Sequence, residues 1–124
     1  MAEADRPDPA LVRPIVWIAR SKRDLSAMPR EVKVSFGLRR YELQQRKTPL
    51  DMKPLPQFGS GVYELRESYE RNAYRLMYVV NLTRALHVLH VFVKKSKSGI
   101  GLPKPDAELI AIRLRRAHEL DREG

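Results

Sequence analysis

The chain of 124 residues has no cysteine, which excludes a disulfide framework and a thiolate metal site. It has no apolar run of membrane-spanning length and no secretory signal pattern, so a cytoplasmic protein without a membrane partner is expected. Glycine is scarce, and none falls in a phosphate-cradling loop: Gly59-Ser60-Gly61 is too short and precedes a strand, not a helix. His87, His90 and His118 lack metal-binding spacing, and no metal or cofactor is expected. No serine has the context of a nucleophile elbow, and the acidic residues are too scattered for a two-metal nuclease cluster. Acid is also in short supply overall. There are 15 Asp and Glu against 24 Lys and Arg, a formal charge of +9. So large an excess on one small domain favours a polyanionic partner: nucleic acid, the ribosome or an acidic protein.

What is present has a clear order. Residues 1–14 are rich in Pro, Asp, Glu and Ala without periodicity and read as a flexible tail, leaving one domain over 15–121. Ile15 to Ala19 is long enough for one buried strand. Ser21 and Asp24 offer helix N-caps before a short turn at Leu25 to Met28. Pro29 suits the first position of a longer helix running to about Arg46. That helix carries two apolar stripes, Val32, Phe36 and Leu43 on one face and Val34, Leu38 and Tyr41 nearly opposite. The second stripe packs on the preceding short helix or awaits a partner chain.

After an irregular connector over 51–61, three strands follow. Val62 to Tyr69 alternates Tyr63, Leu65 and Tyr69 with a polar face of Glu64, Arg66 and Ser68. Ala73 to Val80 sets Tyr74, Leu76 and Tyr78 on one face and Arg75, Met77 and Val79 on the other. Ala85 to Val93 is apolar on both faces, as an interior strand requires. His87 and His90, an odd number apart, are expected on opposite faces as hydrogen-bonded strand histidines. Asp106 caps a final helix to about Asp121.

The meander gathers Arg66, Arg75, Lys94, Lys95 and Lys97 with Tyr74 and Tyr78. These residue types suit metal-free cleavage of RNA, in which the 2′-hydroxyl attacks the adjacent phosphate. The protein then has to hold the nucleotide in line, move two protons and stabilise charge on phosphorus. Guanidinium forks match phosphate oxygens. Crowded lysines lower one another's pKa and can act as base or acid. Tyrosines stack on bases or donate a proton. A solvated basic rim that only binds is the other reading of the same pattern.

GSGVYELRE, AYRLMYVV and LHVLHVFVKKSKSGI, followed by a Pro-rich step into a basic helix, resemble the phage-related branch of HigB toxins in the RelE/ParE superfamily. The resemblance spans about 15–118. It implies an α+β RelE-like fold: strand, two helices, three-strand antiparallel meander and C-terminal helix, with the helices packed on one face of a small sheet. It implies an mRNA interferase toxin of a type II toxin–antitoxin pair, acting on translated mRNA at the ribosome. The partner would be a helix-turn-helix, HigA-like antitoxin, and oligomers would form only through that complex. By resemblance Arg75 contacts the scissile phosphate, Arg66 is the arginine of the ELR motif, and Lys94, Lys95 and Lys97 form the basic strand end. Lys53, Glu64, Tyr74 and Tyr78 complete the RNA-contacting set, and Val34, Leu38 and Tyr41 are expected to seat the antitoxin. The chain departs from the pattern in two places. The strand VYELR has no lysine, so the general base falls to Glu64, Lys53 or a lysine of the 94–97 cluster. The acidic-histidine end of some HigB proteins is replaced by Gly101-Leu102-Pro103. ParE-like members of the same superfamily inhibit DNA gyrase without cutting RNA, and a phage structural protein is a further alternative.

Overall fold

The alternating run that starts at Val62 builds the sheet on which the other elements rest. A computed structural model describes residues 12–95 and 101–123. In chain order these form β1 (Ile15–Trp17), α1 (Ser21–Ser26), α2 (Arg30–Gln44), β2 (Lys53–Pro54), β3 (Val62–Tyr69), β4 (Asn72–Val79), β5 (Leu86–Lys95) and α3 (Lys104–Glu123). The architecture is α+β, with five strands in the order β1-β5-β4-β3-β2. The meander β3-β4-β5 is antiparallel, as expected, but β1 joins β5 in parallel, so the sheet is mixed. β2, within the connector read as irregular, pairs with the start of β3.

Local chemistry fixes the joints. Glu70 and Arg71 both have positive φ, 48° and 68°, which gives the two-residue β3–β4 hairpin the twist of a type I′ turn. Gly61 leads into β3 at φ 83°, and a Cβ there would lie 2.3 Å from the Asn81 side chain. Pro29 is the N-cap of α2 and not its first residue, and α2 stops at Gln44, ahead of Thr48-Pro49, with Arg46 turning left-handed at φ 64°. The Ser21 hydroxyl caps nothing. It is buried and donates to the Val88 carbonyl at 3.2 Å, tying α1 to β5.

Packing starts ahead of Ile15. Arg13 is buried and donates to the carbonyls of Val80 at 2.8 Å and Leu43 at 2.9 Å. A cation on a carbonyl of the last turn of α2 opposes the negative end of the helix dipole. The first structured contacts therefore begin inside the segment read as a tail; residues 1–11 lie outside the described residues.

The helices do not share one face. Val32, Phe36 and Leu43 of α2 and Leu25 of α1 pack on Leu65, Tyr74, Leu76, Tyr78, Leu86 and Val88. Ile110 and Ala117 of α3 pack with Ile18, Leu55, Val62, Met77, Val79 and Leu89 on the other side. The expectation of helices on one face fails because Met77 and Val79 make the second face of β4 apolar as well, and α3 keeps that face from water. The second stripe of α2 does not pack on α1: Val34, Leu38 and Tyr41 are 52%, 67% and 44% exposed.

The register of β4 on β5 shifts between Met77 and Tyr78, so that Met77 faces His90 and Tyr78 faces Val88. The extra residue on β5 turns the alternation over by one. His87, opposite Val79, and His90, opposite Met77, therefore lie on the same α3-facing side, and not on opposite sides as period two requires.

Candidate functional site

The pairing of β3 with β4 sets Arg66 directly opposite Arg75 on the α3 side of the sheet. Like charges in facing positions repel. Glu64, two residues before Arg66 on the same face, resolves the conflict. One of its oxygens, Oε2, accepts from Arg75 Nε at 2.5 Å and lies 2.5 Å from Nη2 in an ion pair, and Oε1 lies 3.7 Å from Arg66 Nη2. The two arginines differ sharply in environment. Arg75 is 2% exposed and Glu64 1%, whereas the Arg66 side chain is 48% exposed. The Arg75 guanidinium also lies 5.6 Å from the centre of the Phe92 ring, a cation–π contact. Its Nη1 has no hydrogen-bond partner.

The polar face of β3 is thus half dry. The expected contact between Arg75 and a phosphate is not available in this arrangement, because burial and Glu64 occupy that side chain. Arg66 is the guanidinium that reaches solvent. It borders a cleft of about 340 Å³ lined by Asp51, Lys53, Glu64, Arg66 and Ser68. Lys53 arrives there because β2 pairs it with Glu64, and it is exposed. Asp51 is held by an ion pair with Arg39. Arg39 also donates to Glu67 at 2.8 Å and to the Arg66 carbonyl at 3.0 Å, so α2 braces the strand that carries the cleft.

Lys94, at the far end of β5, pairs with Ala73 and shares the face of Arg75. Its amine donates to the Gly101 carbonyl at 2.6 Å. Lys95 pairs with Asn72. Lys97 lies outside the described residues. Tyr74 and Tyr78 are not part of the cleft: both are buried on the opposite face, under α1 and α2. The Tyr78 hydroxyl has no partner, and burial above all pushes its phenol above the ordinary value. Neither ring can stack on a base or deliver a proton there, because the period that places Arg75 on one face places both tyrosines on the other.

Three side chains to which the sequence pattern assigned other roles or none, His90, Asp106 and Arg113, meet on the α3 side of the sheet. Asp106 does not cap α3, which starts at Lys104; its Oδ1 meets His90 Nε2 at 2.7 Å. Arg113 donates from Nη1 to His90 Nδ1 at 3.0 Å and to the Leu89 carbonyl at 3.2 Å. The second nitrogen of His90 therefore carries the hydrogen and donates to Asp106. Only the bulge brings these groups together, and no local pattern announces it. Among the described residues no three His, Asp or Glu side chains are grouped to hold a metal, and no helix is long and apolar enough to cross a membrane.

A small α+β domain with a cleft that exposes Arg66 and Lys53 over a buried ion pair is the class that fold and site define. The family model for phage derived protein Gp49-like (DUF891) matches residues 23–115. The chain belongs to this Gp49-like family, a family of RelE/HigB-like toxins of toxin–antitoxin pairs. No curated protein matches it.

Proposed function

We propose that this protein is the toxin of a type II toxin–antitoxin pair and acts in the cytoplasm as an mRNA interferase on translated messages. The observation that carries the reading is the cleft at Arg66 and Lys53, floored by the Glu64–Arg75 pair. Phosphoryl transfer to an internal 2′-hydroxyl needs positioning and charge stabilisation, and a preorganised guanidinium beside an amine supplies both. Arg66 meets the phosphate, and Arg75 acts beneath it by holding Glu64. Since Glu64 is buried and engaged by both arginines, the proton from the 2′-hydroxyl goes to Lys53 or Lys94 in its neutral amine form, and the other lysine, as its ammonium, gives a proton to the departing 5′-oxygen.

The test is expression without a partner, followed by sequencing of RNA ends. Growth arrest with translated messages broken to 2′,3′-cyclic phosphate and 5′-hydroxyl ends supports the reading. Intact messages with altered DNA supercoiling reject it. The second outcome corresponds to a ParE-like toxin that inhibits gyrase. One observation favours that alternative: with both tyrosines buried and Glu64 engaged, the cleft has few groups left to move protons.

The antitoxin seat belongs to the exposed α2 stripe of Val34, Leu38 and Tyr41. Gly37 lies inside that helix with open space where a Cβ would stand. A glycine there costs the helix about 1 kcal/mol relative to alanine, and nothing among the described residues requires it. A partner helix crossing closely at Gly37 accounts for it. Val34→Asp with Leu38→Asp should abolish antitoxin binding and leave RNA cleavage intact; unchanged binding moves the seat elsewhere.

A further inference from the structure

A continuous packed line runs from α3 to the exposed arginine. Asp106 accepts from His90 Nε2 at 2.7 Å. The His90 ring stacks on Phe92, with centroids 4.9 Å apart and planes 17° apart. The Phe92 ring faces the Arg75 guanidinium at 5.6 Å. Arg75 holds Glu64, and Glu64 lies 3.7 Å from Arg66. Each step fixes an orientation that the next requires. Arg113 and Asp106 hold the imidazole plane from opposite nitrogens. The imidazole sets the ring plane of Phe92. That ring supports the guanidinium, which has two nitrogens on one carboxylate oxygen and a third without a partner. A buried guanidinium held on one side only would be free to tilt, and Glu64 would tilt with it.

We infer that Phe92 and His90 are positioning residues for the Arg66–Lys53 cleft, acting through Arg75 and Glu64 on the exposed Arg66. The inference rests on the reading of that cleft as an RNA site, but its central claim concerns Arg75 and is measured without RNA. Phe92→Leu keeps an apolar side chain and removes the π face. Phe92→Tyr keeps the π face.

The experiment uses the full chain. It follows the Nε–H resonance of Arg75 by NMR, the affinity for a fluorescent uridine decamer protected by 2′-O-methyl groups, and the thermal midpoint. In Phe92→Leu the Arg75 resonance should lose its ring-current shift and broaden. Affinity for the decamer should fall about fivefold, a fraction of what a desolvated cation–π contact is worth, because Arg75 acts on the RNA only through Glu64 and Arg66. Phe92→Tyr should restore both, and His90→Gln should disturb both less. If Phe92→Leu lowers only the thermal midpoint, with Arg75 and the affinity unchanged, Phe92 is ordinary packing and the inference falls. If the wild type binds no decamer, the RNA reading of the cleft fails. The Arg75 resonance then decides the positioning claim alone: unchanged in Phe92→Leu it overturns the claim, and shifted and broadened it upholds it.

Discussion

The two faces of the sheet are both covered by helices, yet they are built differently. Toward α1 and α2, β4 offers Tyr74, Leu76 and Tyr78, and the layer is an apolar core in regular alternation. Toward α3, the same strand offers Arg75, Met77 and Val79, and β5 adds His87, His90 and Phe92 around a bulge. One face is dry and uniform. The other is dry at the Val79 end and becomes progressively charged toward Arg66. Covering a face and making it apolar are therefore separate properties. A domain can bury ionic groups under a helix where they orient an exposed neighbour.

The largest test of this contrast removes a buried charge. Arg75→Ala strands Glu64 without its partner and should destabilise the fold by about 3–5 kcal/mol in urea titrations. Arg75→Met with Glu64→Leu should recover most of that stability, since a well-packed apolar pair often replaces a buried ion pair at little cost. A loss below about 1 kcal/mol in the single variant would mean that water reaches this end of the face.

Arg66→Ala should leave stability within about 0.5 kcal/mol, as for most exposed positions. RNA cleavage should drop roughly a hundred- to a thousandfold, the usual effect of losing one preorganised charge contact. Full cleavage by this variant would remove Arg66 from the site.

A third test uses pH. Burial holds His87 below its ordinary pKa of 6.5. The unfolded chain binds this proton more readily, so the contribution is complete above the unfolded value of 6.5 and is lost as pH falls below it. It levels off once pH drops under the folded pKa. Asp121, lowered chiefly by the Thr83 backbone N–H, acts in a separate window beneath 3.8. Thermal unfolding across the mildly acidic range should show a decline that His87→Gln flattens. An unchanged slope in that variant would assign the decline to other groups.

The smallest effect belongs to the uniform face. Tyr78→Phe deletes a buried hydroxyl that has no partner. Stability should stay level or rise by up to about 1 kcal/mol, and cleavage should not change. Lost cleavage would return Tyr78 to the site.

Much of the fold was legible because β3, β4 and β5 are continuous alternating runs separated by short turns. The pairing of Arg66 with Arg75 follows once that hairpin is recognised. Met77 and Val79 beside Arg75 already implied a second apolar face, and the burial of Arg75 could have been read from them. The parallel β1–β5 pairing and the two-residue β2 depend on distant partners and leave no periodic trace. The bulge that turns His90 toward α3 is likewise invisible, since period two holds on each side of it and fails only at one residue. The roles of Asp106, Arg113 and Phe92 stayed hidden with it.

The parallel seam of β1 on β5 also sets an order in time. The Ser21 hydroxyl and the Val88 carbonyl it reaches are 67 residues apart, and Ile15 pairs with Leu86. β1 must therefore wait for its partner until nearly all of the meander has been synthesised. Contacts this distant in sequence close late and slowly. A chain whose synthesis halts before Leu86 holds neither the seam nor Phe92, so an unfinished copy carries the arginines of the cleft without the scaffold that aims them.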